Sequence, residues 1–283
     1  MSIQLIPYKP AGTIGSGPYV LREYKPDTGI DVSALSITYT GAYTDYGMVT
    51  MSDGARYRLL AFTASGTLSI EQPVNCEVCI VGGGANGARS TRDQGGDGGA
   101  GAYLKNQSVS AYNGGSVVVG AAQGISSIGG VSVAAVSGKN GGTGAGGQTA
   151  GTGDGISKYP FEDTGYSLWA SKPHCAGGGQ GVYEFSDADG YYRGVNGGNG
   201  GTNGGNGYPQ GSNQVYSPRA GKGGSYGGGP GGYVNNGGNA TYYGSGAGGG
   251  RCYVSRDGNV KLYNGGSGYQ GIVYMRIPED QAA

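Results

Sequence analysis

Charge, tryptophan, phenylalanine and histidine are all scarce in this chain. Charged residues make up 13% of its 283 residues, and 18 basic residues balance 18 acidic ones. A nucleic-acid footprint needs a basic stripe, so this balance argues against binding nucleic acid. No apolar run approaches the roughly 18 residues of a membrane-crossing helix, and no membrane insertion is expected. Residues 1–17 have neither the charged nor the apolar region of a signal peptide, which predicts synthesis and assembly in a cytosol. The single histidine, His174, has no serine partner in a nucleophile-elbow context. Four cysteines do not form a disulfide framework by spacing. In a strand over 74–81, Cys76 and Cys79 point to opposite faces and make poor joint zinc ligands. His174, Cys175 and Cys252 are the only further candidates, so buried free thiols are expected and no metal or cofactor.

Glycine and tyrosine take the place of what is missing. The chain has 67 glycines, and many recur every third residue. Gly95, Gly98 and Gly101 do so, as do Gly138, Gly141, Gly144 and Gly147, with Ala150 and Gly153 continuing the frame. Gly198, Gly201, Gly204 and Gly207 repeat it, and so do Gly221, Gly224 and Gly227. Three residues is the period of the polyproline II helix, which has no internal hydrogen bonds. Buried copies must therefore bond to neighbours. Ordering backbone costs ~1–2 kcal/mol per residue, and glycine has most to lose. Without side chains to bury, the compensation must come from bonds and close packing between segments. The expected fold is mainly β with a bundle of polyglycine II helices, bookended by β-strands, with essentially no α-helix.

The bookends are read from β-branched and apolar runs. Residues 32–40 and 57–63 predict strands, and residues 67–81 predict two strands separated by Pro73. Residues 116–119, 131–136, 260–262 and 272–277 complete the set. The composition divides the chain into a small β region over 1–66, suited to attachment or oligomerisation, and a glycine-rich domain over 67–283.

Two enzymatic readings fail on context. Gly82-Gly-Gly84-Ala-Asn-Gly87 follows an apolar strand and matches a dinucleotide fingerprint. That motif needs a helix next, and Ala88 to Gly99 is too rich in glycine to form one. Glu162, Asp163, Glu184, Asp187 and Asp189 could supply a glycosidase pair. They are expected in polar, exposed loops, and the chain is read as a non-enzyme.

Tyrosine numbers 24 against three phenylalanines and one tryptophan. Tyrosine and tryptophan give large contact area at low entropy cost, and glycine, serine and asparagine add adaptable hydrogen bonds. The aromatic loops between glycine tracts therefore resemble a paratope, with faces suited to stacking on sugars. The candidates are Tyr159, Phe161, Tyr166, Trp169, Tyr183, Phe185, Tyr191, Tyr192, Tyr216, Tyr242 and Tyr243. The loop over 156–170, with the only tryptophan, is expected to lead recognition. Against this stands the plainer role of tyrosine as a shield over bare backbone.

Residues 62–70, the run Cys76-Glu-Val-Cys-Ile-Val-Gly-Gly-Gly84, and the blocks 98–103 and 114–120 resemble the glycine-rich domain of phage tail-fibre and other virion proteins. Residues 246–250 and 268–277 resemble its closing blocks. The architecture is also similar to the distal tail-fibre adhesins of T-even-like phages. That resemblance implies a virion protein whose loops bind a host-cell surface receptor, protein or glycan, with other fibre or tail proteins as partners. It brings no catalytic residues. A structural fibre or decoration protein is the alternative, and a secreted module such as an ice-binding protein is a third. Both a homotrimer and a monomer capping a trimeric stalk fit the sequence.

Overall fold

The computed structural model describes residues 30–92, 95–133, 159–170, 172–186, 192–195, 215–216, 220–223, 227–233 and 235–281. Among them the protein is mainly β, and its helical content is a single 3-10 turn, Pro160–Glu162. The strands are β1 (Ile37–Tyr39), β2 (Tyr43–Thr50), β3 (Arg56–Phe62), β4 (Gly66–Val81), β5 (Leu104–Val118), β6 (Ser127–Ile128) and β7 (Val131–Ser132). They continue with β8 (Tyr183–Ser186), β9 (Tyr192–Val195), β10 (Val215–Tyr216), β11 (Cys252–Val254), β12 (Val260–Leu262) and β13 (Ile272–Pro278).

The larger sheet runs β2-β3-β13-β4-β5-β6-β7, with β1 also paired to β4. It joins strands from both sides of residue 66. Alternation along β4 sends Cys76, Val78 and Ile80 to one face, where Leu60, Phe62, Met275 and Ile277 lie under Val32 and Leu35. Cys79 and Val81 go to the other face with Leu59, Ala61, Ile272 and Tyr274. The two cysteines thus face opposite ways, as the spacing predicts, and burial pushes the Cys76 thiol up to about 12. Each large apolar side chain buried here contributes about 1.5–3 kcal/mol. The smaller sheet runs β10-β9-β8-β11-β12.

Three strand expectations need correction. Residues 67–81 lie in one strand, because Pro73 falls in a register irregularity between Ser69 and Val74 where no ladder bond is required of it. Strands β2 and β5 were not foreseen along their lengths. Their polar residues face solvent, and pairing with β3 and β4 rather than side-chain pattern holds them extended. The 32–40 run yields only β1, since residues 32–34 form a turn on Asp31.

Glycine-rich segments link the two sheets, and their bonds change partner residue by residue. Gly246 donates to Ala176 (2.8 Å), Ala247 to Ala85 (3.0 Å) and Gly248 to Gly238 (2.8 Å). Gly249 then returns to the first neighbour at Gly179 (2.9 Å), and Gly250 to the second at Ala88 (2.9 Å). The carbonyls of Gly246 and Gly249 accept from Gly229 and Gly232, those of Ala247 and Gly250 from Gly99 and Gly96, and that of Gly248 from Gly266. Segment 244–251 is therefore enclosed on all sides by other backbones. The same step of three governs outer contacts: Gly82, Ala85 and Ala88 donate to Tyr103, Ala100 and Asp97.

Such close approach excludes side chains. A Cβ on Gly249 would collide with the Gly96 carbonyl, and one on Gly178 with the Ala247 carbonyl. At the periphery, where a backbone neighbour is missing, asparagine side chains substitute. Asn236 and Asn239 accept from the backbone N–H groups of Asn264 (3.0 Å) and Ser267 (2.8 Å), again three apart. The glycine frames at 138–153 and 198–207 lie outside the described residues.

Candidate receptor-binding surfaces

The loop over 159–170 sits on the sheet face formed by Leu59, Cys79 and Tyr274. Asp163 organises it. Its carboxylate accepts from the Ser52 hydroxyl and backbone N–H, and from the N–H groups of Gly165 and Tyr166. Burial acts to raise the Asp163 pKa, but these bonds outweigh it and hold the carboxyl below its ordinary range. Its carbonyl accepts from Trp169 Nε1 at 2.5 Å. The indole is fully buried, edge-on to Tyr166 at 4.8 Å and Tyr274 at 5.4 Å. Phe161 lies under the Arg276 guanidinium (4.4 Å) and donates its N–H to Asn106.

Trp169, one of the candidates in the loop over 156–170, is not at its surface. A fully buried indole has no face to offer a receptor, and here it anchors the loop to the sheet. Tyr159, Phe161 and Tyr166 are half-buried against the same core.

Tyr242 and Tyr243 precede the central segment 244–251 and bracket His174. The imidazole lies 4.9 Å from the Tyr242 ring and stacks on Tyr243 at 6.3 Å. A 3.1 Å hydrogen bond joins its Nε2 to the Tyr274 hydroxyl. Burial lowers its pKa to about 3, so it is neutral at ordinary pH. Tyr183 and Phe185 lie in β8, with rings 6.1 Å apart. Beside them, Arg251 and Glu184 form a buried ion pair at 2.8 Å. Tyr192 and Tyr216 belong to β9 and β10. Tyr191 lies outside the described residues.

The aromatic candidates thus divide between opposite ends of the glycine segments. Residues 159–170, Tyr242 and Tyr243 sit at the end of the larger sheet. Tyr183, Phe185, Tyr192 and Tyr216 sit at the other end, with the smaller sheet. Segments such as 82–90 and 244–251 run between them.

No family model and no curated protein matches the chain. Its chemistry must be read from the geometry alone.

The fingerprint-like 82–87 run has most of its N–H groups already engaged and offers no row of them to a phosphate. Gly82, Gly83, Gly84, Ala85 and Gly87 already donate to Tyr103, Gly124, Tyr269, Ala100 and Gly266. Two carboxylates expected in exposed loops are buried instead: Asp163 by its four bonds and Glu184 by Arg251. Asp187 and Asp189 lie outside the described residues. No group of three or more potential metal ligands occurs among the described residues.

Sequence reasoning passed over Tyr46 and Tyr269. They are 40% and 36% exposed and are among the most exposed large apolar side chains described. Tyr46 belongs to the stretch assigned to attachment, and Tyr269 to a closing block. Only their excess over phenylalanine marked them.

Proposed function

We propose that this chain is a virion protein, a phage tail-fibre adhesin that binds a host-cell surface receptor, and that its glycine segments form a polyglycine II bundle. The observation that carries this reading is the return of Gly246 and Gly249 to one neighbour, and of Ala247 and Gly250 to another. Threefold rotation per turn with bonds to surrounding backbones is what a packed bundle of such helices requires. A bundle of this kind is stiff and holds loops at fixed separation. The larger sheet contains the first described strand and the last, which suits it to attachment to other fibre or tail proteins. The smaller sheet lies at the opposite end and suits contact with the host. Neutral net charge leaves stacking and hydrogen bonding as the binding forces. Several copies in a virion, as in a homotrimer, would add avidity to weak contacts.

The reading is tested by incubating fluorescently labelled protein with a panel of bacterial cells, beside a Tyr183→Ser, Phe185→Ser variant. Selective labelling that falls in the variant is the expected result. Folded protein that labels no host cell would move the assignment to a structural fibre or decoration protein.

A further inference from the structure

A second aromatic surface lies at the seam between the larger sheet and the glycine segments. Tyr269 meets Tyr243 edge-on at 5.6 Å, and Tyr243 meets Tyr242 at 5.5 Å. Tyr242 packs on His174, whose Nε2 holds the Tyr274 hydroxyl below. Across the seam, edge strand β2 brings Tyr46. Thr44, two residues before it, pairs with Ala61, and Ala61 pairs with Tyr274, so β2 borders the sheet face that carries Tyr274. The cluster has a rigid buried floor and an open rim. Tyr274 and His174 are sealed, Tyr242 and Tyr243 are half-buried, and Tyr46 and Tyr269 are more than a third exposed.

Its charge character narrows the ligand. Burial and then neighbouring phenols raise the Tyr242 pKa to about 12, and they raise Tyr243 as well. Among the described residues, the ring contacts of Tyr242, Tyr243 and Tyr274 are with one another or with His174, Tyr269 and Trp169, none of them charged at ordinary pH. The charged residue next to Tyr46, Asp45, is paired with Arg58. Asp163, beside Tyr166, is already bound by Ser52, Gly165 and Tyr166. An anionic ligand would find no unpaired cation among these groups, and a cationic one no available carboxylate. Aromatic faces edged with hydroxyls match the alternating C–H faces and hydroxyl rims of sugar rings.

We infer that the Tyr46–Tyr242–Tyr243–Tyr269 surface is a binding site for uncharged oligosaccharide, which stacks on the exposed rings of Tyr46 and Tyr269 and hydrogen-bonds to the phenols between them. The site rests on the receptor-binding reading to the extent that Tyr242 and Tyr243 belong to the receptor set. It specifies a ligand class and places it at the end of the larger sheet, not at the β8 surface. Tyr46 and Tyr269 rim the surface and are not part of the packed core, so their removal leaves the fold in place.

The test is saturation-transfer NMR and calorimetry of the full chain with neutral glucose-, galactose- and mannose-based oligosaccharides at millimolar concentrations. Sialylated and sulfated oligosaccharides serve as charged counterparts. Two variants accompany it: Tyr46→Ala with Tyr269→Ala, and Tyr46→Phe with Tyr269→Phe. Circular dichroism and thermal melting confirm that each is folded. The expected result is binding of a neutral oligosaccharide, weakened about tenfold or more in the alanine pair and less in the phenylalanine pair. Binding of charged glycans alone, binding unchanged in the alanine pair, or no neutral glycan bound by folded protein would each overturn the site. Cell labelling measured in parallel separates the two readings. Labelling without oligosaccharide binding removes this site and leaves the adhesin reading standing, whereas oligosaccharide binding without labelling does the reverse.

Discussion

The larger sheet and the glycine segments solve the same problem with opposite materials. In the sheet, side chains such as Leu60, Phe62, Val78 and Met275 fill the space between layers, and the backbones stay a strand spacing apart. Around Gly246–Gly250 the backbone is itself the filler, and N–H and C=O groups face neighbours in every direction. Burial of apolar area drives the first. The second depends on hydrogen bonds that are each worth only ~0.5–1.5 kcal/mol net, and on having many of them together. The difference teaches what each region tolerates. A sheet core weakens when atoms are removed, whereas segments packed backbone to backbone fail when atoms are added.

The largest effect expected from this contrast is at Gly249. Gly249→Ala adds one methyl group directly onto the Gly96 carbonyl. It should destabilise the protein by about 4 kcal/mol or more, the scale of severe overpacking. Leu60→Ala, which removes three carbons from the sheet core, should lose about 2–5 kcal/mol. Urea denaturation of both variants compares the regions directly. A Gly249→Ala loss below that of a typical surface substitution would mean that the segments are not packed backbone to backbone.

Asp163 marks where side chains secure a loop to the sheet, and it gives the next effect. Asp163→Ala leaves the N–H groups of Ser52, Gly165 and Tyr166 without their acceptor and should cost about 1–3 kcal/mol. Near-ultraviolet circular dichroism should show Trp169 losing its fixed environment. The folded-state pKa is depressed, so the contribution of Asp163 is complete above its ordinary value of 3.8 and fades as pH falls through the lowered one. The wild-type Trp169 signal should therefore persist to pH values below 3.8 before it is lost.

The last effect is read against pH and comes from His174, between the two regions. Its ordinary pKa of 6.5 falls to about 3 on burial. Between those values the unfolded chain binds the extra proton, so stability declines as pH drops from 6.5 toward 3. The slope from this group approaches ~1.4 kcal/mol per pH unit below pH 6. His174→Phe should flatten that part of the curve in denaturation at several pH values, while Asp163→Ala should not.

Local pattern made some of this legible in advance. The apolar run over 74–81 predicted the second half of β4 and the faces of its cysteines, and the apolar run at 272–277 predicted β13. The three-residue glycine period predicted bonds to neighbouring segments, and Gly96, Gly99 and Ala102, each one residue past the frame of Gly95 and Gly98, donate to Gly250, Ala247 and Gly244. Strand β5 was hidden because Lys105, Asn106, Gln107 and Ser108 follow no apolar alternation, and its extension comes from β4. The burial of Trp169 was not legible, because aromatic loop composition is the same whether the ring meets a receptor or the protein's own sheet.

By itself, then, the sequence determined part of the backbone conformation among the described residues: strands over the main apolar runs, extended segments where glycine recurs, and no long helix. Those preferences are local, set by Cβ sterics and by the hydrogen bonds a residue type permits. Tertiary structure alone decided that 244–251 is the enclosed segment, that Trp169 is sealed beneath its loop, and that Tyr46 and Tyr269 stay exposed. Burial and neighbourhood depend on which distant segments pair. A glycine carries no side chain to specify its partners, so that choice is made by the whole set of backbones packing at once.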